Sequence, residues 1–302
     1  MASVSKPWKE YFMNLPIEAY LIQAVHGLVY GMLVFLVASG LTIVFGMMGV
    51  LNFAHASFYM IGAFIAYSVT VYLGNFWLSL AISPGIVGSL GIVIERFLLR
   101  KTYRMGQGAQ LLLTFGLLFI LNELVRIIWG GSVLSVEAPA LLSGEVQLFG
   151  SPYPVYRLFI LLVSFLLLGV MALLLLKTRI GIIIRAAVTD AKMVEALGTN
   201  VPRVFMAVLG GGAAIAALAG VIASPFLTLH LGLGNDALMD CFAVIVIGGF
   251  GSLLGAFVAA LMIGELQSFG VFWIPGLALV FQFLLMAIVL IIRPAGLFGE
   301  KE

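Results

Sequence analysis

Side chains able to do chemistry are few in this sequence, and their spacing assembles no catalytic centre. The three histidines, His26, His55 and His230, are scattered, so they lack the close spacing of metal ligands. Cys241 is the single cysteine, which excludes an internal disulfide and a cysteine-rich metal site. The sequence has no nucleophile–base constellation and no G-x-x-x-x-G-K-S/T phosphate loop. We therefore predict no catalytic residue, no metal and no cofactor.

Asn52 and His55 are the polar pair whose placement is most informative. They lie between two long apolar runs, three residues apart, so on a helix they would share a face. Polar groups at membrane depth are costly and often functional, which makes the pair a candidate lining or gate for the inner end of a path. Alternatively, they hydrogen-bond the broken backbone between two helices, which we favour because buried polar groups usually pair with backbone first. Thr42, Gly248 and Gly249 are further candidates for the path or gate.

The other charged residues within apolar runs have simpler interpretations. Glu123 and Arg126 are three apart and are expected to pair with each other. Asp236 and Asp240 begin a predicted helix, where acidic side chains favour the amino-terminal end of the helix dipole. These interpretations require no ligand.

The composition places these residues in a membrane protein. Of 302 residues, 63% are hydrophobic and 9% charged, and the mean hydropathy is +1.21. A soluble domain has about 45–50% apolar and about 25% charged residues. The net charge of +2 offers no basic face, so no nucleic-acid partner is expected.

Nine apolar runs are candidates for membrane helices, each of which needs about 20 residues to cross a bilayer. The seventh and eighth runs are short and are separated by Gly-Gly-Phe-Gly-Ser at 248–252. We predict an all-α, polytopic membrane helix bundle of about nine membrane helices, two of them short. The runs are 20–47, 51–73, 76–99, 108–130, 155–176, 204–224, 236–249, 252–268 and 272–292.

The distribution of Lys and Arg predicts the orientation. Basic residues follow the third run, occupy the connection 177–203 and follow the last run, whereas the connection 131–154 contains none. The positive-inside rule places the three basic segments in the cytoplasm. With nine crossings the N-terminus lies outside and the C-terminus inside. The predicted parts are an extracytoplasmic segment 1–19, a transmembrane domain 20–293 and a cytoplasmic tail 294–302.

The longest cytoplasmic connection contains a predicted amphipathic helix over about 184–197. A charged or polar face recurs at helical spacing, and so does an apolar face of mostly small residues. Gly198 is the predicted stop, with Pro202 shortly after it. The pattern leaves two roles open, docking into a groove on a partner protein or forming a surface linker. The first face consists of Arg185, Thr189, Lys192 and Glu195; the second consists of Ala187, Ala191, Val194 and Leu197.

Four blocks of the sequence together resemble the permeases of ABC importers, and more narrowly the branched-chain amino acid permease family. They follow the family's order along nearly the whole chain. Ala56 departs from it, at a position where glycine is expected in many members. The blocks are Gly40–Phe64 with Asn52-Phe-Ala-His55, Arg185–Gly198 leading into Val-Pro-Arg, Ala243–Gln267, and Arg293–Gly299.

The resemblance implies a role and a set of partners. Family members form a heterodimer with a related permease in the cell inner membrane, served by two cytoplasmic ABC ATPases and a periplasmic binding protein. The substrates implied are branched-chain amino acids or related amino acids, amides or urea. The residues expected to couple to the ATPases are Arg185, Ala186, Asp190, Glu195, Leu197 and Gly198.

Two other functions compete with the importer subunit. An ion-coupled secondary transporter or a channel would need carboxylates within the membrane, and Glu95, Glu123 and Glu265 all lie towards the ends of their runs. A membrane-embedded enzyme would need a catalytic constellation, which the sequence lacks. The importer interpretation is therefore the leading one.

Overall fold

The computed structural model describes residues 16–49 and 51–299, and this part of the chain is almost entirely helical. Two short strands and two 3-10 turns, Ala140–Leu142 and Pro275–Leu277, complete it. The strands β1 (Glu145–Leu148) and β2 (Ser151–Pro154) pair antiparallel. The helices are α1 (Ile17–Met48), α2 (His55–Leu73), α3 (Phe76–Thr102), α4 (Gln107–Trp129), α5 (Val155–Lys177), α6 (Arg179–Thr189), α7 (Ala191–Ala196), α8 (Val201–Ala223), α9 (Leu233–Gly248), α10 (Leu253–Trp273) and α11 (Ala278–Ile292).

The predicted helix bundle is confirmed. Within the described residues, eight helical segments are long and apolar enough to cross a membrane, the last being the turn Pro275–Leu277 together with α11. The 16-residue α9 is a short ninth. The eighth predicted run, 252–268, is longer in the structure, because α10 continues past residue 268 and has 21 residues. Of the predicted extracytoplasmic segment, residues 1–15 lie outside the described residues, and α1 begins at Ile17.

The break predicted at 248–252 is present between α9 and α10. Gly249 and Gly251 have φ angles of 97° and 78°, which side chains with a Cβ rarely adopt. The Ser252 hydroxyl accepts a hydrogen bond from the Gly255 amide at 3.0 Å and so caps the start of α10.

The break is closed by the end of the chain. The amides of Leu297 and Phe298 donate to the carbonyls of Ile247 and Gly248 at 2.8 and 3.0 Å. These carbonyls belong to the last turn of α9, which has no helical partner for them. The predicted tail 294–302 is thus a strap over the end of α9 as far as Gly299, and residues 300–302 lie outside the described residues.

Small residues bring α1 and α10 into close contact. A Cβ on Gly31 would lie 2.7 Å from the Ala260 carbonyl oxygen, and one on Gly27 would lie 2.9 Å from the Glu265 Cα. Helices in lipid pack tightly where small residues let their backbones approach. The long α1 therefore forms the centre of the bundle, with residues 31–42 buried.

The start of α2 lies inside the bundle. The His55 Nε2 is 3.1 Å from the carbonyl oxygen of Val37, which is eleven residues, or about 16 Å of helix, before the end of α1. On the other side, the Thr114 hydroxyl in α4 donates to the Leu51 carbonyl at 3.3 Å. The connection before α2 therefore turns back into the bundle, and α2 begins beside the middle of α1.

Two ends of the bundle are distinguished by their connections. At one end the connection 130–154 meets the connection between α8 and α9 through an antiparallel bridge of Leu134 and Leu229. At the other end the Arg100 guanidinium donates to the Pro202 carbonyl at 3.2 Å, which joins α3 to the start of α8. The acidic connection 131–154 and the basic connections thus lie at opposite ends, as the charge distribution predicted.

Candidate functional site

A cavity of about 220 Å³ lies between α1, α2, α9 and the connection that precedes α9. We call it the α9 cavity. One part of its wall is aliphatic and the other carries carboxyl, phenol, imidazole and thiol groups. Its lining residues are Tyr30, Leu33, Val34, Val37, Tyr59, Leu227, Thr228, His230, Leu233, Asp236, Ala237, Asp240 and Cys241.

Asp240 is the most deeply placed carboxylate of this cavity. The Tyr30 hydroxyl donates to its Oδ2 at 2.6 Å, and the Gln282 amide of α11 donates to its Oδ1 at 3.0 Å. Asp240 is the eighth residue of α9, beyond the first turn to which the helix dipole effect is confined. The interpretation of both acids as residues at the start of the helix therefore holds for Asp236 but is wrong for Asp240.

Asp236 lies at the exposed side of the cavity. Its Oδ2 is 3.6 Å from His230 Nε2, and its side chain is 72% exposed. His230 Nδ1 accepts a hydrogen bond from the Gly232 amide at 3.2 Å, which leaves Nε2 to carry the proton towards the carboxylate. Asp236 and Asp240 are four residues apart and line one cavity, so they share a face of α9.

Asn52 and His55 lie beneath the α9 cavity. His55 bonds to the carbonyl of Val37, a cavity residue, and a Cβ on Gly40 would lie 3.0 Å from its ring. The Asn52 Oδ1 accepts from the Ala54 amide at 3.1 Å. Both side chains are thus engaged with backbone, while Asn52 Nδ2 and His55 Nδ1 are buried without a hydrogen-bond partner in the described residues.

A second cavity, of about 180 Å³, lies next to Asn52. Its lining includes Leu51, next to Asn52, together with Phe45 and Phe250, whose rings are 4.7 Å apart. The segment Asn52–His55 therefore adjoins a lining residue of each cavity, Val37 of the first and Leu51 of the second. The remaining lining residues are Gly49, Gln107, Gln110 and Leu111.

The other path candidates lie outside the walls of both cavities. The Thr42 hydroxyl donates to the Ala38 carbonyl of its own helix at 2.8 Å. A Cβ on Gly248 would lie 2.5 Å from the Gly255 carbonyl carbon, and one on Gly249 would lie 2.7 Å from the Gly299 Cα. The structure thus places Gly248 and Gly249 at the closely packed junction between α9, α10 and the strap.

The predicted helix over 184–197 is two helices, and this boundary was wrong. Asp190 ends α6 and caps α7, since its Oδ1 accepts a hydrogen bond from the Met193 amide at 2.9 Å. An aspartate at an N-cap stabilises an extended backbone at that residue, which interrupts the helix. The residues Arg185, Thr189, Lys192 and Glu195 therefore do not form one continuous helical face. The stop at Gly198 is confirmed by its φ of 87°.

The exposure of this segment also differs from the predicted faces. Ala187 and Val194 are buried as expected, but Leu197 is 78% exposed, and Met193, one turn before it, is 59% exposed. Two apolar side chains, one on α7 and one directly after it, are thus exposed. The Arg185 guanidinium donates to the Leu175 carbonyl at the end of α5, while Ala186 and Glu195 are exposed.

An ion pair with a buried carboxylate lies at the base of α3, and no pairing was predicted for it. Glu95 is fully buried and lies 2.9 Å from the Arg100 guanidinium, in a π-helical turn over Glu95–Leu99. The Tyr103 hydroxyl also donates to Glu95, at 3.2 Å. Burial, followed by the Glu95 carboxylate, raises the pKa of the Tyr103 phenol. The five-residue spacing fits a π-helical turn rather than an α-helix, which is why the i,i+4 rule missed the pair.

A more exposed pair behaves as predicted. Glu123 and Arg126 are 3.5 Å apart with both side chains more than half exposed. In the described residues, no group of three or more His, Cys, Asp or Glu side chains is placed to hold a metal ion.

Comparisons with known proteins agree on one family. The family model described as branched-chain amino acid transport system / permease component matches residues 23–290. The chain is 31% identical to the high-affinity branched-chain amino acid transport system permease protein BraD of Pseudomonas aeruginosa, over 94% of this chain and 97% of BraD. It is 29% identical to the permease protein LivH of Escherichia coli, over 94% and 96% of the two chains. A probable branched-chain amino acid permease of Methanocaldococcus jannaschii is 25% identical over 90% of each chain. No solved structure matches the chain.

Proposed function

The chain belongs to the branched-chain amino acid permease family, and from that premise we propose that it is the membrane-spanning subunit of an ATP-driven importer for branched-chain or related amino acids. The observation that carries this proposal is the family match over nearly the whole chain. The relatives are named as permease proteins of transport systems, not as enzymes. The chain is a multi-pass membrane protein, and we place it in the cell inner membrane.

The translocation path follows the two cavities. The α9 cavity opens towards the connection 224–232, and the second cavity lies towards the ends of α1 and α9. Between them, Asn52 and His55 occupy the connection that turns back into the bundle. A path that opens alternately at each end requires a closed segment between two cavities, and this connection supplies it.

The exposed segment α6–α7 is the proposed contact with the ATPases. Exposed Met193 and Leu197 offer an apolar anchor of the kind that fits a groove on a partner protein. Arg185, Ala186, Asp190, Glu195 and Gly198 belong to the same exposed segment. The remaining partners in this proposal are a second, related permease and a periplasmic binding protein.

Reconstitution tests the proposed function. The chain is incorporated into liposomes with its cognate second permease and ATPases, and radiolabelled leucine is supplied with the binding protein. We expect uptake that requires ATP hydrolysis by the ATPases. When the chain is reconstituted alone under a sodium or proton gradient, we expect no uptake. Uptake driven by a gradient in the chain alone would establish the competing secondary transporter.

Reversal of charge at Asp190 is expected to uncouple the ATPases from transport. Asp190→Arg removes both the carboxylate and the cap of α7, so we expect ATP-dependent uptake to fall at least tenfold while membrane insertion persists. Asp190→Asn is the matched control, because asparagine caps a helix as well as aspartate but lacks the charge. If both variants transport at the wild-type rate, the segment has no coupling role.

Labelling with a membrane-impermeant maleimide tests the orientation. Single cysteines are placed at the exposed residues Ser143 and Thr189 in a Cys241→Ala background. We expect Ser143→Cys to react from outside the cell and Thr189→Cys only from the cytoplasmic side, with the N-terminus outside and the C-terminus inside. The reverse pattern would invert the topology.

A further inference from the structure

Asp240 is a carboxylate held inside the bundle, and no cationic side chain of the described residues pairs with it. Its two hydrogen-bond donors, the Tyr30 hydroxyl and the Gln282 amide, are both neutral. Among residues 16–49 and 51–299, no Lys, Arg or His nitrogen lies within 4.0 Å of it. A charge at membrane depth is costly unless it is compensated, and such residues mark ion and substrate paths.

Asp236 adds a second negative charge to the same face of α9. Two like charges at positions i and i+4 destabilise a helix, and the helix dipole offsets this for Asp236 alone. Both carboxylates nevertheless line the same cavity, one at its exposed side and one a helical turn deeper. The pair therefore suits a cation that enters past Asp236 and reaches Asp240.

The remaining wall of the cavity is suited to an aliphatic group. Leu33, Val34, Val37, Leu227 and Leu233 form its apolar part. At about 220 Å³ the cavity is below the roughly 300–1,000 Å³ of sites for drug-sized ligands, so its occupant is a single small molecule. An α-amino acid with an aliphatic side chain has both an ammonium group and an apolar group.

We propose that the α9 cavity is a substrate site in which Asp240 binds the ammonium group of an aliphatic amino acid. Asp236 makes the first contact at the exposed side, and the apolar wall holds the side chain. An ammonium group has three donors, and the carboxylates and the Tyr59 hydroxyl supply acceptors around the cavity. This proposal rests on the proposed function and adds a recognition site within the permease itself.

A protection experiment on the permease–ATPase complex in nanodiscs tests the site. Ala237→Cys in a Cys241→Ala background places a thiol in the cavity wall, and its rate of reaction with a small thiosulfonate reports occupancy. The probes are leucine and two analogues that each keep one of its two charged groups. 3-Methylbutylamine keeps the ammonium group, and 4-methylpentanoate keeps the carboxylate. We expect leucine and the amine to slow labelling and the carboxylate to have no effect.

Variants in the same background identify the recognising group. We expect Asp240→Asn to raise the half-protecting amine concentration about tenfold or more, since a hydrogen bond to a charged group is lost. Asp236→Asn is expected to raise it about threefold to tenfold, and this exposed residue provides a test even if Asp240→Asn does not fold. Tyr30→Phe retains the charge of Asp240. We expect it to raise the half-protecting amine concentration less than Asp240→Asn does. Glu265→Gln, an acid on α10 outside the cavity lining, is the matched control and is expected to leave it unchanged.

Three outcomes would overturn the proposal. They are protection by 4-methylpentanoate equal to that by the amine, unchanged half-protection in both aspartate variants, and protection by sodium ions alone. ATP-driven leucine uptake by the wild-type importer distinguishes this failure from that of the proposed function. Uptake with unchanged protection in the variants would remove only the site, whereas amine protection without uptake would remove only the importer function.

Discussion

Replacing Gly220 by alanine is expected to destabilise the bundle by about 1–3 kcal/mol, because the added methyl group has no space. Gly220 lies in α8 against α2, where its Cβ would meet the Tyr59 carbonyl and would lie 2.9 Å from the Ala63 amide nitrogen. These atoms belong to the backbone of α2, so no side-chain rotation relieves the overlap. The two helices must separate instead. Their separation also loosens the nearby packing of Gly62 against Ala217.

Gly211 in the same helix is the control for this substitution. No atom outside its own local helix lies within 4 Å of its Cβ position. Alanine is better than glycine in a helix interior by roughly 0.5–1 kcal/mol, so Gly211→Ala is expected to be neutral or stabilising. Unfolding of the purified variants in mixed micelles, followed by circular dichroism, measures both effects. Equal stability of the two variants would contradict the close approach of α2 and α8.

Replacing Arg100 by methionine is expected to destabilise the protein by about 3 kcal/mol. The substitution leaves the Glu95 carboxylate buried without its positive partner, a loss that typically costs about 3–5 kcal/mol. We expect the lower end of this range because the Arg100 side chain is 34% exposed. Coupled transport should fall as well, since Arg100 also bonds to Pro202 directly after the α6–α7 segment.

A double-mutant cycle distinguishes the interaction between Glu95 and Arg100 from the separate effects of replacing each residue. Glu95→Gln combined with Arg100→Met removes both charges, and we expect it to recover much of the stability that Arg100→Met alone loses. Glu123→Gln at the exposed pair is the matched control and is expected to change stability by less than about 1 kcal/mol. If Arg100→Met proves as mild as Glu123→Gln, the buried pair contributes nothing specific.

Features that depend on local sequence were predicted well. Runs of apolar residues locate the membrane helices, and the glycines at 248–252 locate the break, because both follow from the chain's own backbone and hydropathy. Gly198 ends α7 for the same reason. The division at Asp190 was missed, although an aspartate inside a helical pattern is itself an N-cap signal.

Features that depend on depth and on distant partners were not predictable. Asp240 was expected at the start of its helix. In the structure α9 already begins at Leu233, so Asp240 lies one helical turn deeper in the cavity than Asp236. Likewise, the spacing of Asn52 and His55 indicates a shared face but not that α2 begins beside Val37. The hairpin β1–β2 has a local signal in its Phe149-Gly150 turn, yet its packing through Tyr153 against His26 joins residues far apart in the chain.

The strap over α9 has a consequence for the order of synthesis. The residues that line the α9 cavity and those between α9 and α10 leave the ribosome well before Leu297 and Phe298. The amides of these two residues bond to the last carbonyls of α9. The last carbonyls of α9 therefore stay unpaired until Leu297 and Phe298 have emerged. A nascent chain that has not yet reached Leu297 therefore carries two unpaired carbonyls at the end of α9, and a chain cut before this residue keeps them.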